Sequence, residues 1–247
     1  MDPLDLRAVR KSLGWTQKQT AERLSVSQAL VSMVENHQRS LTAAMQERLG
    51  SYYELDPTHL PLRELVSLTD SGYARELASL GYPGFAHRRD KDKDRHKDGK
   101  PSWNPAQLAV MVLSADTLDR RVAEALPWLV LRYWDADWNW AVRQLKLQDL
   151  QNRFGFVVTL ARELAEKKSA EKTPSEDPSE EKSLGSPERL RQLERQLERS
   201  RLVRQDTFCN EHMTQAERKW LQTAASPQAQ HWNLLSDLCP EHLTHVR

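Results

Sequence analysis

Three short apolar patterns of helical spacing occupy residues 6–13, 17–24 and 28–36. They are separated by residues that typically start or end helices, namely Gly14, Thr16 and Ser27. The second and third patterns can close a small shared core through Ala21, Leu24, Val26, Leu30, Val31 and Val34. We therefore expect three short helices joined by tight turns, with an outward polar face of Gln17, Gln28, Ser32 and Asn36.

The segment TQKQTAERLSVSQALVSMVENHQRSLT resembles the XRE, or Cro/C1-type, helix-turn-helix of phage repressors and bacterial regulators. The resemblance covers residues 4–56. It rests on the TQ opening of the second helix, Ala21, the V-S exit from the turn, and the V-S-x-x-E-N close of the third helix. The family often has Gly at the turn position that Ser25 holds, where a positive φ is easy for Gly. The resemblance implies a DNA-binding domain of the five-helix type.

The resemblance also implies roles for individual residues. The exposed N-terminal half of the third helix would meet base edges in the major groove, through Gln28, Ala29 and Ser32. Gln28 suits adenine because its amide donates to N7 and accepts from the N6 amino group. Phosphates would be held by Gln17, Ser27, Asn36 and Arg39. Arg10 and Glu35 resemble the structural ion pair that joins the first helix to the third.

Charge favours a local contact with DNA over a general one. The whole chain carries a formal net charge of +1, and residues 1–56 hold seven Lys/Arg and seven Asp/Glu. Affinity gained by neutralising phosphates would be modest for a single domain of this charge. We therefore expect a homodimer that reads two half-sites of double-stranded DNA about one helical turn apart.

Composition predicts an all-α, cytoplasmic protein, and the resemblance implies a bacterial one. Gly is scarce, with 8 residues, while Leu, Arg, Glu, Gln and Ala dominate, which favours helices. Just two cysteines argue against a disulfide-built secreted domain. The N-terminus has no apolar segment typical of a signal peptide, and the longest apolar stretches are too short to span a bilayer. No membrane partner is expected.

The pattern of composition divides the chain into four parts. The helix-turn-helix domain is predicted over residues 1–70. A helical partner, effector or dimerisation domain follows over 71–166, with a charged loop at 87–101. Residues 167–187 hold three prolines and five serines, which is typical of a flexible linker. Residues 188–247 are predicted to form a helical C-terminal segment.

A tryptophan-rich run, LPWLVLRYWDADWNW, ends at residue 140 and holds four of the eight tryptophans. Such a run can build a core, a partner interface or a ligand pocket. The candidate interface residues are Trp128, Trp134, Trp138 and Trp140. The sequence has no nucleophile beside a base, no Gly-rich phosphate loop and no His-Glu zinc motif, so we expect a protein that is not an enzyme.

The two cysteines lie in matching tetrapeptides, Cys209-Asn-Glu-His212 and Cys239-Pro-Glu-His242. A Cys and a His three residues apart can chelate one ion, and two such pairs would make a tetrahedral Cys2His2 zinc site. Buried or idle cysteines are the alternative, in which case no cofactor is expected.

Together these features predict a dimeric, sequence-specific transcriptional regulator that acts as a repressor on operator DNA. A first alternative is an antitoxin, or a subunit of a bacterial toxin–antitoxin or defence cassette, that binds a toxin or another operon-encoded protein and autoregulates its operon. A second alternative is a scaffold subunit of a defence complex, which would bind a partner without operator affinity.

Overall fold

The computed structural model describes residues 6–52, 56–87, 102–171, 187–243 and 245. The chain divides into two compact units, residues 1–63 and 64–247. The boundary thus lies before the one predicted at residue 70, and a single unit takes in both of the later regions that composition separated. Within the described ranges, no helix combines the length and the apolar character needed to cross a membrane.

The first unit is built from short helices. The described part contains α1 (Leu6–Ser12), α2 (Gln17–Leu24), α3 (Gln28–Glu35), α4 (Ala43–Tyr52) and a 3-10 turn (Pro57–His59). Its core is apolar and draws on all four α-helices, through Leu6, Val9, Ala21, Leu24, Val31, Val34, Met45 and Leu49. None of these helices is long enough to be stable alone, so their packing stabilises them.

The ends of these helices follow from local chemistry, as the sequence predicts. Gly14 has φ +68°, which suits a residue that ends α1. Thr16 forms a capping box with Gln19, in which the Thr16 hydroxyl accepts from the Gln19 N–H at 3.2 Å and the Gln19 amide oxygen accepts from the Thr16 N–H at 2.9 Å. Ser27 caps α3 with its hydroxyl. Ser25 lies at φ +52°, in the conformation that glycine would adopt more easily.

The second unit is also helical. Its elements are α5 (Asp70–Ser79), α6 (Pro105–Leu113), α7 (Arg120–Glu124), α8 (Leu126–Arg132), α9 (Trp138–Lys146), α10 (Gln151–Glu171), α11 (Pro187–Glu198), β1 (Asp206–Thr207), α12 (Gln215–Ala224), α13 (Pro227–His231) and β2 (Leu234–Leu235). The two strands pair in parallel, with Asp206 opposite Leu234 and Thr207 opposite Leu235. The fold is therefore all-α in class, with one minimal strand pair.

The core of the second unit forms around α6 and α10. All nine residues of α6 are buried, as are residues 151–161 of α10, so neighbouring elements surround both of these stretches on all sides. Helix α11 packs on α10 and buries Leu190, Leu193 and Leu197 in the same core. The short leucine stripe of α11 therefore serves this unit, and the predicted C-terminal segment is continuous with the predicted middle domain.

The predicted linker and charged loop are described only at their margins. Residues 167–171 continue α10, because the helix runs on to Glu171, and Pro187 begins α11. The remaining linker residues, 172–186, lie outside the described residues. So do residues 88–101, which include nearly all of the predicted charged loop.

The tryptophan-rich run contributes mainly to the core. Trp138 is 6% exposed, packs against Phe154 with ring centroids 5.7 Å apart, and donates from Nε1 to the Tyr133 carbonyl at 3.0 Å. Trp138 therefore belongs to the core and not to an exposed partner interface, which corrects the prediction for this residue. Trp128 and Trp140 are half-buried against the same core. Trp134 is also half-buried and carries the Arg189 guanidinium 4.2 Å from its ring centroid.

Arg153 is buried inside the second unit, where its side chain binds five acceptor atoms. Two bonds of 2.8 and 3.0 Å reach the Asp206 carboxylate, and a third, of 3.0 Å, reaches Glu211. Nη1 of Arg153 donates to the carbonyls of Leu113 at 3.1 Å and Ala115 at 3.3 Å. Since a guanidinium has five N–H donors, its hydrogen-bonding capacity is filled. Arg153 thus joins the start of α10 to the end of α6, to β1 and to the segment that follows β1.

Trp232 ties the end of the chain to the core. Its side chain is fully buried, and Nε1 donates to the Thr159 hydroxyl at 2.8 Å. That hydroxyl donates to Glu194 of α11 at 2.6 Å. Gly155 makes room for the indole, because a Cβ at this position would overlap three of its ring carbons. Gly155 therefore allows α10 to lie directly against an aromatic ring.

Candidate nucleic-acid interface

The turn between α2 and α3 holds the two helices in a fixed relation. Ser25 bends the chain with its positive φ, and its N–H donates to the Glu22 carbonyl at 3.2 Å. The N–H of Val26 then donates to the Ala21 carbonyl at 2.9 Å, closing the end of α2. Ser27 follows directly as the cap of α3. A three-residue connection bonded in this way restricts the orientation of α3 relative to α2.

Glu35, at the end of α3, is the electrostatic centre of the unit. Its side chain is fully buried and accepts from Arg10 Nε at 2.6 Å and from Gln17 Nε2 at 2.9 Å. Arg7 Nε lies 3.6 Å from the same carboxylate. Arg10 also donates to the Trp15 carbonyl at 2.9 Å. The pair that the resemblance implied is thus present, and it links α1, the start of α2 and the end of α3.

The charge of Glu35 is maintained despite burial. Burial raises the pKa of this carboxyl, but the hydrogen bonds from Arg10 and Gln17 outweigh it, so the pKa lies below its ordinary value. The hydrogen bond to Glu35 raises the pKa of the Arg10 guanidinium in turn. Both groups are therefore ionised at neutral pH. The ion pair therefore holds the buried side of α3 against α1.

The outer face of α3 presents the residues predicted to read bases. Gln28 and Ala29 are exposed and Ser32 is half-buried. They lie at positions i, i+1 and i+4, which share one side of a helix, while Val31, Val34 and Glu35 face the interior. The structure therefore brings the three predicted base-contact residues together on one accessible surface, which we call the α3 face.

Met33 also lies on the outside of α3, although it is not among the residues predicted to contact DNA. Its side chain is 37% exposed. The sequence does carry a signal for this residue, because Met33 is apolar and its helix position lies away from the buried positions of Val31 and Val34. A side chain of this kind can contact the methyl group of thymine, as Ala29 can.

The four predicted phosphate contacts divide into two groups. Ser27 and Arg39 are exposed, and Ser27 stands at the N-terminus of α3, where free N–H groups favour an anion. The Gln17 side-chain amide N–H donates to the Glu35 carboxylate, and the Asn36 amide oxygen accepts from Arg7 Nη2 at 2.8 Å. The side chains of this second group are already engaged within the unit.

The basic residues of the first unit divide in the same way. Arg10 and Arg48 donate to Glu35 and to the Leu24 carbonyl, and Arg23 lies 4.4 Å above the Trp15 ring. Arg23 and Arg48 are nevertheless exposed, as are Arg7, Lys11, Lys18 and Arg39. Because residues 1–56 hold as many Asp/Glu as Lys/Arg, the net charge that can meet a phosphate backbone is still small.

The structure does not bring the two Cys/His pairs together. Cys209 is 2% exposed, directs its Sγ to the Val112 carbonyl at 3.6 Å, and has its pKa raised to about 12 by burial. Cys239 precedes a 3-10 turn, and His212 and His242 are exposed. In the part of the chain that the structure describes, no three His, Cys, Asp or Glu side chains are grouped to hold a metal ion. The predicted Cys2His2 arrangement is therefore not formed.

Comparison with known proteins agrees with the geometry of the first unit. A family model described as helix-turn-helix matches residues 6–60. The match covers all but the first two residues of the predicted XRE-type segment and confirms the resemblance drawn from its motifs. Comparisons with curated proteins and with solved structures gave no significant match.

Proposed function

We propose, from the XRE-type helix-turn-helix domain that residues 6–60 form, that this chain is a cytoplasmic transcriptional repressor that binds operator DNA as a homodimer. The observation that carries the proposal is the α3 face. Gln28, Ala29 and Ser32 are accessible on one side of a helix whose opposite side is fixed by a buried ion pair. Base readout needs such a rigid helix, because small errors in position break hydrogen bonds to base edges.

Gln28 is the proposed specificity residue. It is the first residue of α3 and is exposed, so its amide can form the paired hydrogen bonds that distinguish adenine in the major groove. Ala29 and Met33 supply apolar contacts for thymine methyl groups. Ser32 adds a hydroxyl that can donate or accept. The resulting preference is for A·T pairs within each half-site.

Ser27, Arg39 and Lys18 are the proposed phosphate contacts. Ser27 places a hydroxyl and the free N–H groups of α3 at one phosphate, while the two cations add attraction without sequence information. Because one domain neutralises few phosphates, its affinity for DNA is low. A dimer on a two-fold symmetric operator makes these contacts twice and therefore binds more tightly.

Selection of preferred sequences from a pool of random duplexes tests the proposal. The expected result is a two-fold symmetric site whose half-sites lie about one helical turn apart. The Gln28→Ala variant should lose the preference at one base pair in each half-site. The Gln148→Ala variant is a matched control, because Gln148 is exposed in the second unit and its removal should leave the selected site unchanged.

A pool that yields no preferred sequence with the full chain would contradict the proposal. The binding of an operon-encoded partner protein would then become the better explanation of the chain. A preferred site that is unaltered by Gln28→Ala would contradict base readout by the α3 face while leaving DNA binding intact.

A further inference from the structure

The second unit contains a cavity of about 230 Å³ that the proposed DNA contacts do not use. It is bounded by α7, by α12 and by the segments around β1 and β2. The apolar part of its lining includes Leu118, Ala123, Phe208, Leu221, Leu235 and Leu238. Concave sites with an apolar lining and a few polar groups are the usual form of a small-molecule site, and this one is somewhat smaller than their usual range, so it suits a small ligand.

Trp220 gives the cavity an aromatic wall. This side chain of α12 lines the cavity and is 56% exposed, while its neighbour Leu221 is buried. A large aromatic ring left open to water can gain contact area from a ligand, and the face of an indole attracts cations.

The charged groups of the lining are mainly acidic. Three carboxylates, Glu124, Glu217 and Asp237, line the cavity together with one guanidinium, Arg120, so their formal charge is −2. Arg120 spans two of them, donating to Glu124 at 2.8 Å and to Asp237 at 3.1 and 3.2 Å. One guanidinium neutralises only one of the two carboxylates that it bridges, so the cavity keeps its negative potential.

The third carboxylate is held separately. Glu217 accepts from the Thr214 backbone N–H at 2.6 Å and from the Thr214 hydroxyl at 2.8 Å. These two bonds lower the pKa of Glu217, so this group is ionised at neutral pH. The cavity therefore combines an apolar interior, an exposed indole and an excess of fixed negative charge.

We infer that this cavity binds a small organic cation, namely an ammonium ion attached to an aryl or alkyl group. The apolar group enters the lining formed by the leucines and Phe208, and the ammonium lies against Trp220 and the carboxylates. A neutral analogue loses the charge contribution and an anion is repelled. The inference goes beyond the proposed DNA binding and does not depend on it.

Binding of three matched probes to the full chain tests the inference. The probes are phenethylamine, 2-phenylethanol and phenylacetate, which share a phenyl group and differ in charge. Ligand-observed NMR at low salt and without DNA measures their affinities. We expect phenethylamine to bind at least about tenfold more tightly than 2-phenylethanol, and phenylacetate to bind the least.

Two variants locate the binding. Trp220→Ala should weaken phenethylamine binding about tenfold, and because the side chain is exposed its removal should leave the fold intact. Asp237→Asn should weaken phenethylamine binding without changing that of 2-phenylethanol. Glu188→Gln is the matched control, because Glu188 lies on α11 outside the cavity lining and its charge change is the same.

The inference is overturned if phenethylamine fails to bind the wild-type chain. It is equally overturned if 2-phenylethanol binds as tightly as phenethylamine, or if Glu188→Gln weakens phenethylamine binding as much as Asp237→Asn does. None of these results bears on operator binding, so failure here is distinguishable from failure of the proposed function.

Discussion

Substitution of Arg153 by Met should strongly destabilise the second unit. Arg153 is 1% exposed, and all of its acceptors lie within 3.3 Å. The substitution leaves the Asp206 carboxylate, which is 15% exposed, facing an apolar group. It also leaves the carbonyls of Leu113 and Ala115 without this donor. Removing one partner of a buried ion pair costs about 3–5 kcal/mol, and we expect a loss of free energy of unfolding in this range.

Urea unfolding followed by tryptophan fluorescence measures this loss. Seven of the eight tryptophans follow residue 63, so the signal reports mainly the second unit. The double variant Arg153→Met/Asp206→Leu should recover part of the loss, since it removes both charges. The matched control is Arg195→Met, at an exposed position of α11, which should change the free energy by no more than about 0.5 kcal/mol.

The reasoning would be refuted if Arg153→Met cost less than about 1 kcal/mol, a value typical of an ordinary substitution. It would also be refuted if the double variant were no more stable than the single one. The Arg153 cluster also fixes the segment that supplies Phe208 and Cys209 to the cavity lining, so the single variant should weaken phenethylamine binding as well.

Three further predictions concern other residues. Glu35→Gln should destabilise the first unit by about 3 kcal/mol at neutral pH, because it removes a buried charge that is paired with Arg10. Since the folded-state pKa of Glu35 is lowered, its stabilisation is present above the unfolded-state value and is lost as the pH falls through the folded-state value. Hydrogen exchange of peptides from α1 to α3 should show this acid sensitivity in the wild type and less of it in the variant. Gly155→Ala should cost about 1–2 kcal/mol in urea unfolding, because displacing the buried Trp232 ring outweighs the gain of about 1 kcal/mol in helix propensity; a more stable variant would contradict the packing. Ser25→Gly should stabilise the first unit by about 0.5–1 kcal/mol, because glycine adopts the positive φ without strain. Amide exchange in α2 and α3 should then be slower. Faster exchange would contradict this and would show that the conformational entropy of glycine in the unfolded chain outweighs the relief of strain.

The first three helices were predictable because their signals are local. Gly14, Thr16 and Ser27 act on backbone groups within three or four residues, so a short window of sequence contains both the cap and its partner. The ion pair of Arg10 with Glu35 spans 25 residues, and no local rule indicates it. The resemblance to a family, and not the residue pattern, pointed to it.

The second unit was less predictable because its organisation depends on distant contacts. The leucine stripe of α11 is too short to indicate its partner, and only the structure shows that α10 is that partner. Arg153 reads in sequence as one more charged residue of a helix, yet its acceptors lie 38 to 58 residues away. Trp220 likewise resembles the other tryptophans in sequence, although it is exposed and Trp232 is buried.

The matching Cys/His tetrapeptides are the reverse case, in which the sequence shows a pattern but the fold does not bring the residues together at one site. Cys209 lies at φ +53° with its thiol turned inward, whereas the histidine of the same tetrapeptide is exposed. Equal spacing within two pairs says nothing about the distance between the pairs, because that distance depends on the packing of the whole unit.

A salt titration of binding to the promoter DNA of this gene, with the wild type and Gln28→Ala/Ser32→Ala, tests the central claim most directly. The α3 face predicts that the wild type prefers the promoter over random DNA. It predicts further that the double variant loses this preference by roughly tenfold or more, while weak binding with an unchanged salt slope remains. Equal affinity of the wild type for promoter and random DNA, or a double variant with undiminished preference, would contradict the claim.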